Sequence, residues 1–454
     1  MISRITLVAL KGHRNSLACK MKYMKSILVL ASLSVVIVLA SCSKDEPIGL
    51  CLPSSGPPNI LLIIADDLGK DAINGFIEGS IKPSTPHIDV FRNNGLSFSN
   101  LWVYPTCSPT RASIITGRYG YRTGVKGAGD VLGQSEMVLQ EHISIETNNA
   151  YTSAVVGKWH LSGNDPIANP EIFGIDYYAG LIRGTVDDYY QWQLTEDGVG
   201  SLQTEYTTEV FTDLAIDWVN EQSKPWFLWL AYNAPHTPFH VPPSNMHNQG
   251  GLPAYVEGSD PIPYYMAAIE AMDYQIGRFL DSIPADEVEN TVIIFIGDNG
   301  TPGQVAQSPY SGTTVKNTLY QGGINTPMFI SGKGVSRTGI DANLITSTDL
   351  FSTISEIAGG SSNAIHDSKS FKSLFTQSSV HREYQYSELN DGVNDQWAIS
   401  NGAYKLMVDS NEEEEMYYLV DDSYESTNLL NGSLSSVEQD VKVELENVLD
   451  SIRD

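Results

Sequence analysis

The stretch NILLIIADD, residues 59–67, is an uninterrupted apolar run that ends in two carboxylates. So short a run, rich in isoleucine and leucine, reads as a strand covered on both faces. Three later stretches end in the same way. SAVV (153–156) runs into Gly157-Lys158-Trp159-His160, FLWLA (227–231) into Asn233-Ala234-Pro235-His236, and VIIFI (292–296) into Gly297-Asp298-Asn299-Gly300. Between them lie stretches with helical periodicity: 206–221, with Val210, Leu214, Ile216 and Trp218; 266–283, with Ile269, Met272, Ile276 and Leu280; and 351–358. This alternation predicts an α/β fold whose mostly parallel central sheet is flanked by helices. In open sheets of this kind ligands bind beyond the carboxyl ends of the strands, so the four polar clusters are expected to converge on one crevice.

The chain has 454 residues, 41% hydrophobic and 18% charged, enough for one large domain and a smaller one. Lys20, Lys22 and Lys25 precede an uncharged run over 26–40, too short for the roughly 20 residues of a spanning helix. Its ending, Leu39-Ala40-Ser41-Cys42, resembles a bacterial lipoprotein lipobox. That resemblance implies a signal peptide over 1–41, cleavage before Cys42, lipid attachment to Cys42, and a start at Met21 or Met24; a plain secretory signal is the alternative. Ser43-Lys44-Asp45-Glu46 is similar to the acidic tag that carries some Bacteroidetes lipoproteins to the cell surface. The expected location is therefore outside the cytoplasm, anchored in the outer membrane, on the cell surface or the periplasmic face. A Pro-, Gly- and Ser-rich linker fills 42–58, a catalytic domain spans 59–360, and short alternating segments at 397–400, 404–408 and 416–420 with a closing helix suggest a C-terminal antiparallel-sheet subdomain over 361–454.

Removing the leader takes Lys+Arg from 27 to 21 against 54 Asp+Glu, so the net charge moves from −27 to −33. Such a balance argues against nucleic acid as a partner. An anionic substrate would need the few cations gathered locally, within about a Debye length of roughly 8 Å. Processing leaves only Cys51 and Cys107 as free thiols. Export permits a disulfide between them, but a domain this large does not need one, and a chemical role for Cys107 ranks first.

Asp66, Asp67, Asp298 and Asn299 are hard oxygen donors, which suit Ca²⁺, with Mg²⁺ the alternative; no thiolate and imidazole set typical of zinc accompanies them. Each pair alone could cap a helix or make a turn. Two pairs at strand ends of one sheet favour a metal. Cys107 opens a further helix: Pro109 suits its first turn and Gly117 stops it. At a helix amino terminus a thiol is expected to ionise easily, with Arg111 one turn on to hold whatever sits at position 107.

Cys107-Ser108-Pro109-Thr110-Arg111, followed by Ala112-Ser113-Ile114-Ile115-Thr116-Gly117-Arg118, resembles the signature of type I sulfatases in the alkaline phosphatase superfamily. The resemblance implies that Cys107 is oxidised to Cα-formylglycine by a formylglycine-generating or anaerobic sulfatase-maturating enzyme, and that Asp66, Asp67, Asp298, Asn299 and the modified Cys107 bind calcium. Lys158 and His160 match the next family motif, His236 in Ala-Pro-His-Thr-Pro the one after, and Lys316 the last. Gln321 departs from the usual Glu, and Asn325-Thr326 from a common Arg-Val.

The chemistry can be argued from its demands. A sulfate ester needs a nucleophile, neutralisation of the sulfuryl oxygens, and a proton for the departing alcohol. A hydrated aldehyde offers two geminal hydroxyls, one to attack and one to expel sulfate. Three Asp against one divalent ion leave −1, and Arg111, Lys158 and Lys316 bring the crevice to +2. Asp298 is assigned to activate the attacking hydroxyl, His236 to protonate the leaving group with Lys316 as competitor, and His160 to orient the formylglycine hydroxyl. Arg183, Tyr189, Tyr190 and Trp192 form an aromatic and cationic stretch that could wall a sulfated sugar, as could His240 and His247; an ordinary packed insertion is the alternative. The expected activity is sulfate-ester hydrolysis on a sulfated polysaccharide or oligosaccharide. The rivals are a phosphonate monoester or phosphodiester hydrolase on the same scaffold and a lipoprotein that only binds sulfated glycans.

Overall fold

The computed structural model describes residues 56–163, 169–390 and 393–454. The leader, Cys42, Cys51 and most of the 42–58 linker lie outside the described residues. Five parallel strands form the centre of a ten-stranded sheet: β1 (Asn59–Ala65), β2 (Thr152–Lys158), β3 (Tyr177–Leu181), β4 (Trp226–Tyr232) and β5 (Thr291–Gly297), in the spatial order β5-β1-β4-β2-β3. The four apolar runs of the sequence are thus neighbours. Beyond β5 the sheet continues through the antiparallel strand Met328–Gly332 and then the short Leu96–Phe98 and Gly339–Asp341; beyond β3 lies the hairpin Trp192–Glu196 and Val199–Gln203.

Alternate residues of β1 serve two cores, as the period of a strand requires. Ile60, Leu62 and Ile64 pack with Ile114 and Ile115 of α1 (Cys107–Thr116) and with Leu350, Phe351 and Ile354 of α4 (Asp349–Ala358). Leu61 and Ile63 face Phe211 and Trp218 of α2 (Thr207–Asn220) and Met266, Ile269 and Met272 of α3 (Ile262–Asp281). Truncating one of these fully buried side chains to alanine costs about 2–5 kcal/mol. α1 ends at Gly117, which holds φ +66 and donates its N–H to Ser113 O at 2.9 Å; a Cβ there would lie 2.9 Å from the Phe351 ring.

The C-terminal sheet is a four-stranded antiparallel meander, Gln385–Asn390, Asp395–Ser400, Tyr404–Asp409 and Glu414–Tyr418. It is covered by α5 (Ser436–Arg453), whose Leu445 and Leu449 pack on Ile399, Leu406 and Met416. α5 begins at a capping box between Ser435 and Glu438. Phe371, Leu374 and Phe375 belong to the core of the large sheet although they follow residue 360.

Candidate active site

Strand register sets the centre. Ala65 pairs with Gly297 across β1 and β5, and Gly157 with Ala231 across β2 and β4, so the polar residues just beyond them stand at one level. Asp67 N–H donates to Asp298 Oδ1 at 3.0 Å, and Asn299 Nδ2 to Asp67 Oδ1 at 2.8 Å. Lys158 Nζ lies 2.6 Å from Asp66 Oδ2, and Lys316 Nζ 2.6 Å from Asp67 Oδ2. Arg111 grips Asp298 Oδ2 through Nε at 3.0 Å and Nη2 at 2.7 Å while its Nη1 donates to Lys158 O at 2.8 Å. Cys107 is the first residue of α1 after the extended Thr106, and its Sγ is 3.1 Å from His160 Nδ1. His236 donates from Nδ1 to Thr237 O at 2.7 Å, which leaves Nε2 facing Asp67 Oδ2 at 3.6 Å. The structure therefore brings Asp66, Asp67, Cys107, Arg111, Lys158, His160, His236, Asp298, Asn299 and Lys316 into one crevice.

Three residues here hold left-handed backbone conformations that cost non-glycine residues about 1–3 kcal/mol: Asp67 (φ +67), His160 (φ +56) and Asn317 (φ +69). Each is pinned. Tyr265 OH donates to Asp67 O at 2.6 Å, Ser108 Oγ to His160 O at 2.9 Å, and Asn317 N–H to Pro105 O at 2.9 Å.

Two buried oxygens in the centre, Asp66 Oδ1 and Asn299 Oδ1, have no hydrogen-bond partner. Buried polar atoms are seldom left so, and an oxygen-coordinated cation would satisfy both. The donor set fits Ca²⁺. One ligand atom each from Asp66, Asp67 and His236 lie within 4.8 Å of one another; Asp298, held by Arg111, stands outside that trio.

Burial raises the Asp298 carboxyl and Asp66 raises it further, against Arg111 and Lys158, so it is pushed up to about 6. Burial would also raise Asp67, but Lys316, His236 and Lys158 outweigh it and hold that carboxyl well below its usual range. In Lys316, Asp67 and its neighbours overcome burial and keep the ammonium charged. His160 is driven down to about 2 by burial and by Lys158 and Arg111, so its ring is neutral. Burial lowers His236 as well, opposed by Asp67 and Asp66. The expected ease of ionisation at Cys107 is overturned. Burial pushes the thiol up, with Asp66 and Asp298 adding to it against Lys158 and Lys316, because a side chain only 3% exposed loses more hydration than the helix start suggests.

The outer residues divide. Arg183 is exposed, 3.8 Å from Asp187 Oδ2, and sits beside Gly184, where a Cβ would lie 2.3 Å from the His160 ring; its backbone thus borders the crevice. Tyr190 is partly exposed and donates to Val241 O at 2.8 Å. Trp192, expected to face a sugar, is instead 3% exposed, packs edge-on against Phe211 and donates to Glu205 O. It is a core residue. His240 is likewise corrected: Nδ1 is held by Pro238 O at 3.0 Å, Nε2 by Tyr206 OH at 3.1 Å, and the ring stacks on Tyr189 at 3.7 Å, so neither nitrogen is left for substrate. Tyr189 OH props the same turn through Asn233 O and His236 O. Sequence reasoning missed Tyr265, Thr106, Asn317 and Gly184. Only Thr106 and Asn317 carried a signal, as chain neighbours of Cys107 and Lys316.

Residues 58–361 match the protein-family profile described as Sulfatase, and the chain belongs to the sulfatase family. It is similar to the uncharacterized sulfatase YdeN of Escherichia coli K12, 28% identical over 366 residues that cover 67% of this chain but only 63% of that protein. An arylsulfatase of Klebsiella aerogenes is 25% identical over 407 residues, covering 66% of this chain and 87% of that one. Among solved structures, Ps i-CgsB in complex with k-i-k-neocarrahexaose superposes with a TM-score of 0.73 at 25% identity, covering 86% of this chain and 92% of that one.

Proposed function

We propose that this protein hydrolyses sulfate esters of an oligosaccharide or polysaccharide and releases inorganic sulfate, using Cys107 converted to formylglycine and a calcium ion held by Asp66, Asp67, Asp298 and Asn299. The observation that carries the reading is the pair of orphaned oxygens, Asp66 Oδ1 and Asn299 Oδ1, inside a buried ring of three carboxylates and three cations around position 107. When bound, calcium would offset the carboxylates and supply Lewis acidity to the sulfate group. Formylglycine at position 107 would, as its hydrate, offer one hydroxyl as nucleophile and a second for expelling sulfate.

The chain's own groups do the rest. Asp298, fixed by Arg111, takes the proton of the attacking hydroxyl. Neutral His160, through Nδ1, orients the group at position 107. Lys158 and Lys316 neutralise the sulfuryl oxygens. The side chains of His236 and Lys316, 14% and 17% exposed, form the mouth, so the departing alcohol meets them; its proton comes from His236 Nε2 when the ring is doubly protonated, or else from the charged Lys316 ammonium. Arg183 and Tyr190 border the substrate. The oligosaccharide bound by the similar Ps i-CgsB supports a carbohydrate substrate. The lipobox-like Cys42 supports export and anchoring in the outer membrane, and Cys107 requires a maturation enzyme.

The test is turnover of an aryl sulfate against an aryl phosphate diester by protein whose position 107 is shown by mass spectrometry to be formylglycine. Sulfate is expected to win clearly. Preference for the diester would move the reading to a phosphodiester or phosphonate hydrolase, and no turnover of either would leave a glycan-binding protein.

A further inference from the structure

Residues 315–325 carry Lys316 on a connection with little structure of its own: a turn in which Thr318 N–H donates to Val315 O at 3.1 Å, and one four-residue helix, Gln321–Ile324. Backbone groups of so short a connection have to find partners elsewhere. Those nearest Lys316 find them around the centre, where Lys316 N–H donates to Thr301 O at 3.2 Å and Asn317 N–H to Pro105 O at 2.9 Å. Those farther on find them in the C-terminal subdomain. Lys405 Nζ, on the strand Tyr404–Asp409, donates to Leu319 O at 2.5 Å, and Gln321 N–H donates to Glu425 Oε2 at 2.5 Å. Between them Tyr320 OH donates to Glu415 Oε2 at 2.9 Å. Three consecutive residues are thus held by three side chains that follow residue 400.

Lys405 and Glu425 are also paired with each other. Lys405 is fully buried, with Nζ 5.2 Å from the centroid of the Trp102 ring, and Glu425, 8% exposed, has a left-handed backbone at φ +58. Taking both charges out of water and holding Glu425 in that conformation are costly, and an apolar pair of the same size often stabilises a fold as well or better. What an apolar pair cannot do is grip a carbonyl and an N–H two residues apart. We propose, resting on the sulfate-ester reading above, that Lys405 and Glu425 are positioning residues for Lys316. All ten residues gathered in the crevice lie between 66 and 316, so the C-terminal sheet acts on the reaction through this pair. Leu319 is only three residues from Lys316, and a misplacement of about 1 Å at an ammonium that serves both Asp67 and a sulfuryl oxygen can cost about 10²-fold in rate.

The test separates position from stability. Two double variants are compared: Lys405→Met/Glu425→Gln, which leaves an amide oxygen for Gln321 N–H, and Lys405→Met/Glu425→Leu, which leaves neither bond. The control is Leu445→Ala, a truncation in the core with Ile399 and Leu406, separate from the one that holds Leu319 and Ile324. Aryl sulfate turnover is expressed per folded molecule bearing formylglycine, well below every unfolding midpoint. The first double variant should lose about threefold in kcat and the second about tenfold, with KM within about twofold, whereas Leu445→Ala should lower the urea midpoint and leave kcat unchanged. Added to Lys316→Arg, which already displaces the cation, the second double variant should cost less than about twofold more. Losses in kcat no larger than that of Leu445→Ala, a change confined to KM, or full additivity with Lys316→Arg overturns the positioning role while sulfate hydrolysis stands. Should the second double variant fail to fold, the first decides by the same comparisons. No sulfate turnover by formylglycine-bearing wild type removes the sulfate-ester reading and this role together.

Discussion

Two buried ionic clusters sit in this molecule, and they are finished to different degrees. Asp349, at the start of α4, accepts from Arg382 Nε at 2.7 Å, His381 Nε2 at 3.1 Å, Lys369 N–H at 2.9 Å and Thr346 N–H at 3.1 Å, with Arg382 Nη2 closing on its other oxygen. Both oxygens are saturated. Asp66 is equally buried, yet Oδ1 has no hydrogen bond, and Arg111 Nη2 stands 3.8 Å from it. The first cluster ties α4 to the segment entering the C-terminal sheet and asks for nothing more. The second holds charges together and leaves coordination open, which a fold tolerates where a ligand completes it.

The largest expected effect separates chemistry from scaffold. Cys107→Ala, compared with wild type carrying formylglycine at 107, should lower sulfate-ester kcat/KM at least about 10³-fold, roughly 4 kcal/mol, with the urea midpoint unmoved. Survival of activity would break the contrast at its functional end. Asp349→Asn should do the reverse, costing about 3–5 kcal/mol in urea unfolding because the largely covered Arg382 guanidinium loses its carboxylate partner. Burial would raise Asp349, but Arg382 and His381 hold it below its ordinary value near 3.9. Its stabilisation is therefore complete above about pH 4 and fades as pH falls toward the folded value; the variant should lose that acid-sensitive component. Calcium sharpens the comparison further. At 100-fold over its dissociation constant it should stabilise the wild type by about 2.7 kcal/mol in thermal unfolding, Asp349→Asn should keep that gain, and Asp66→Asn should lose it. The smallest effect is local: Gly184→Ala, whose Cβ would fall 2.3 Å from the His160 ring, should reduce kcat about tenfold while KM changes little.

Four of the five central strands were legible because each is a continuous apolar run with a polar end, a pattern that needs no partner to be recognised; β3, YYAGL, is too short and too mixed to show it. The crevice followed, since strands in register put their carboxyl ends together. What escaped was set by contacts between distant segments. Trp192 and His240 carry the residue types of a sugar wall, but Phe211 and Tyr206, brought by a helix start, absorb them. The thiol at the helix start looked easily ionised because local sequence reports the helix and not the burial. The antiparallel strand Met328–Gly332 and the first strand of the small sheet, Gln385–Asn390, had no distinct signature, the latter because its outward positions are themselves buried against the large domain.

One feature of the folded chain governs timing. The side chain at position 107 is sealed beneath its neighbours, and the loops on either side are tied by the bond from Asn317 N–H to Pro105 O. Another protein's catalytic cleft cannot reach it there. Under the proposed conversion of Cys107, the modifying enzyme would have to meet the polypeptide while it is still unfolded, so the order of synthesis, modification and collapse would decide whether a given molecule becomes competent.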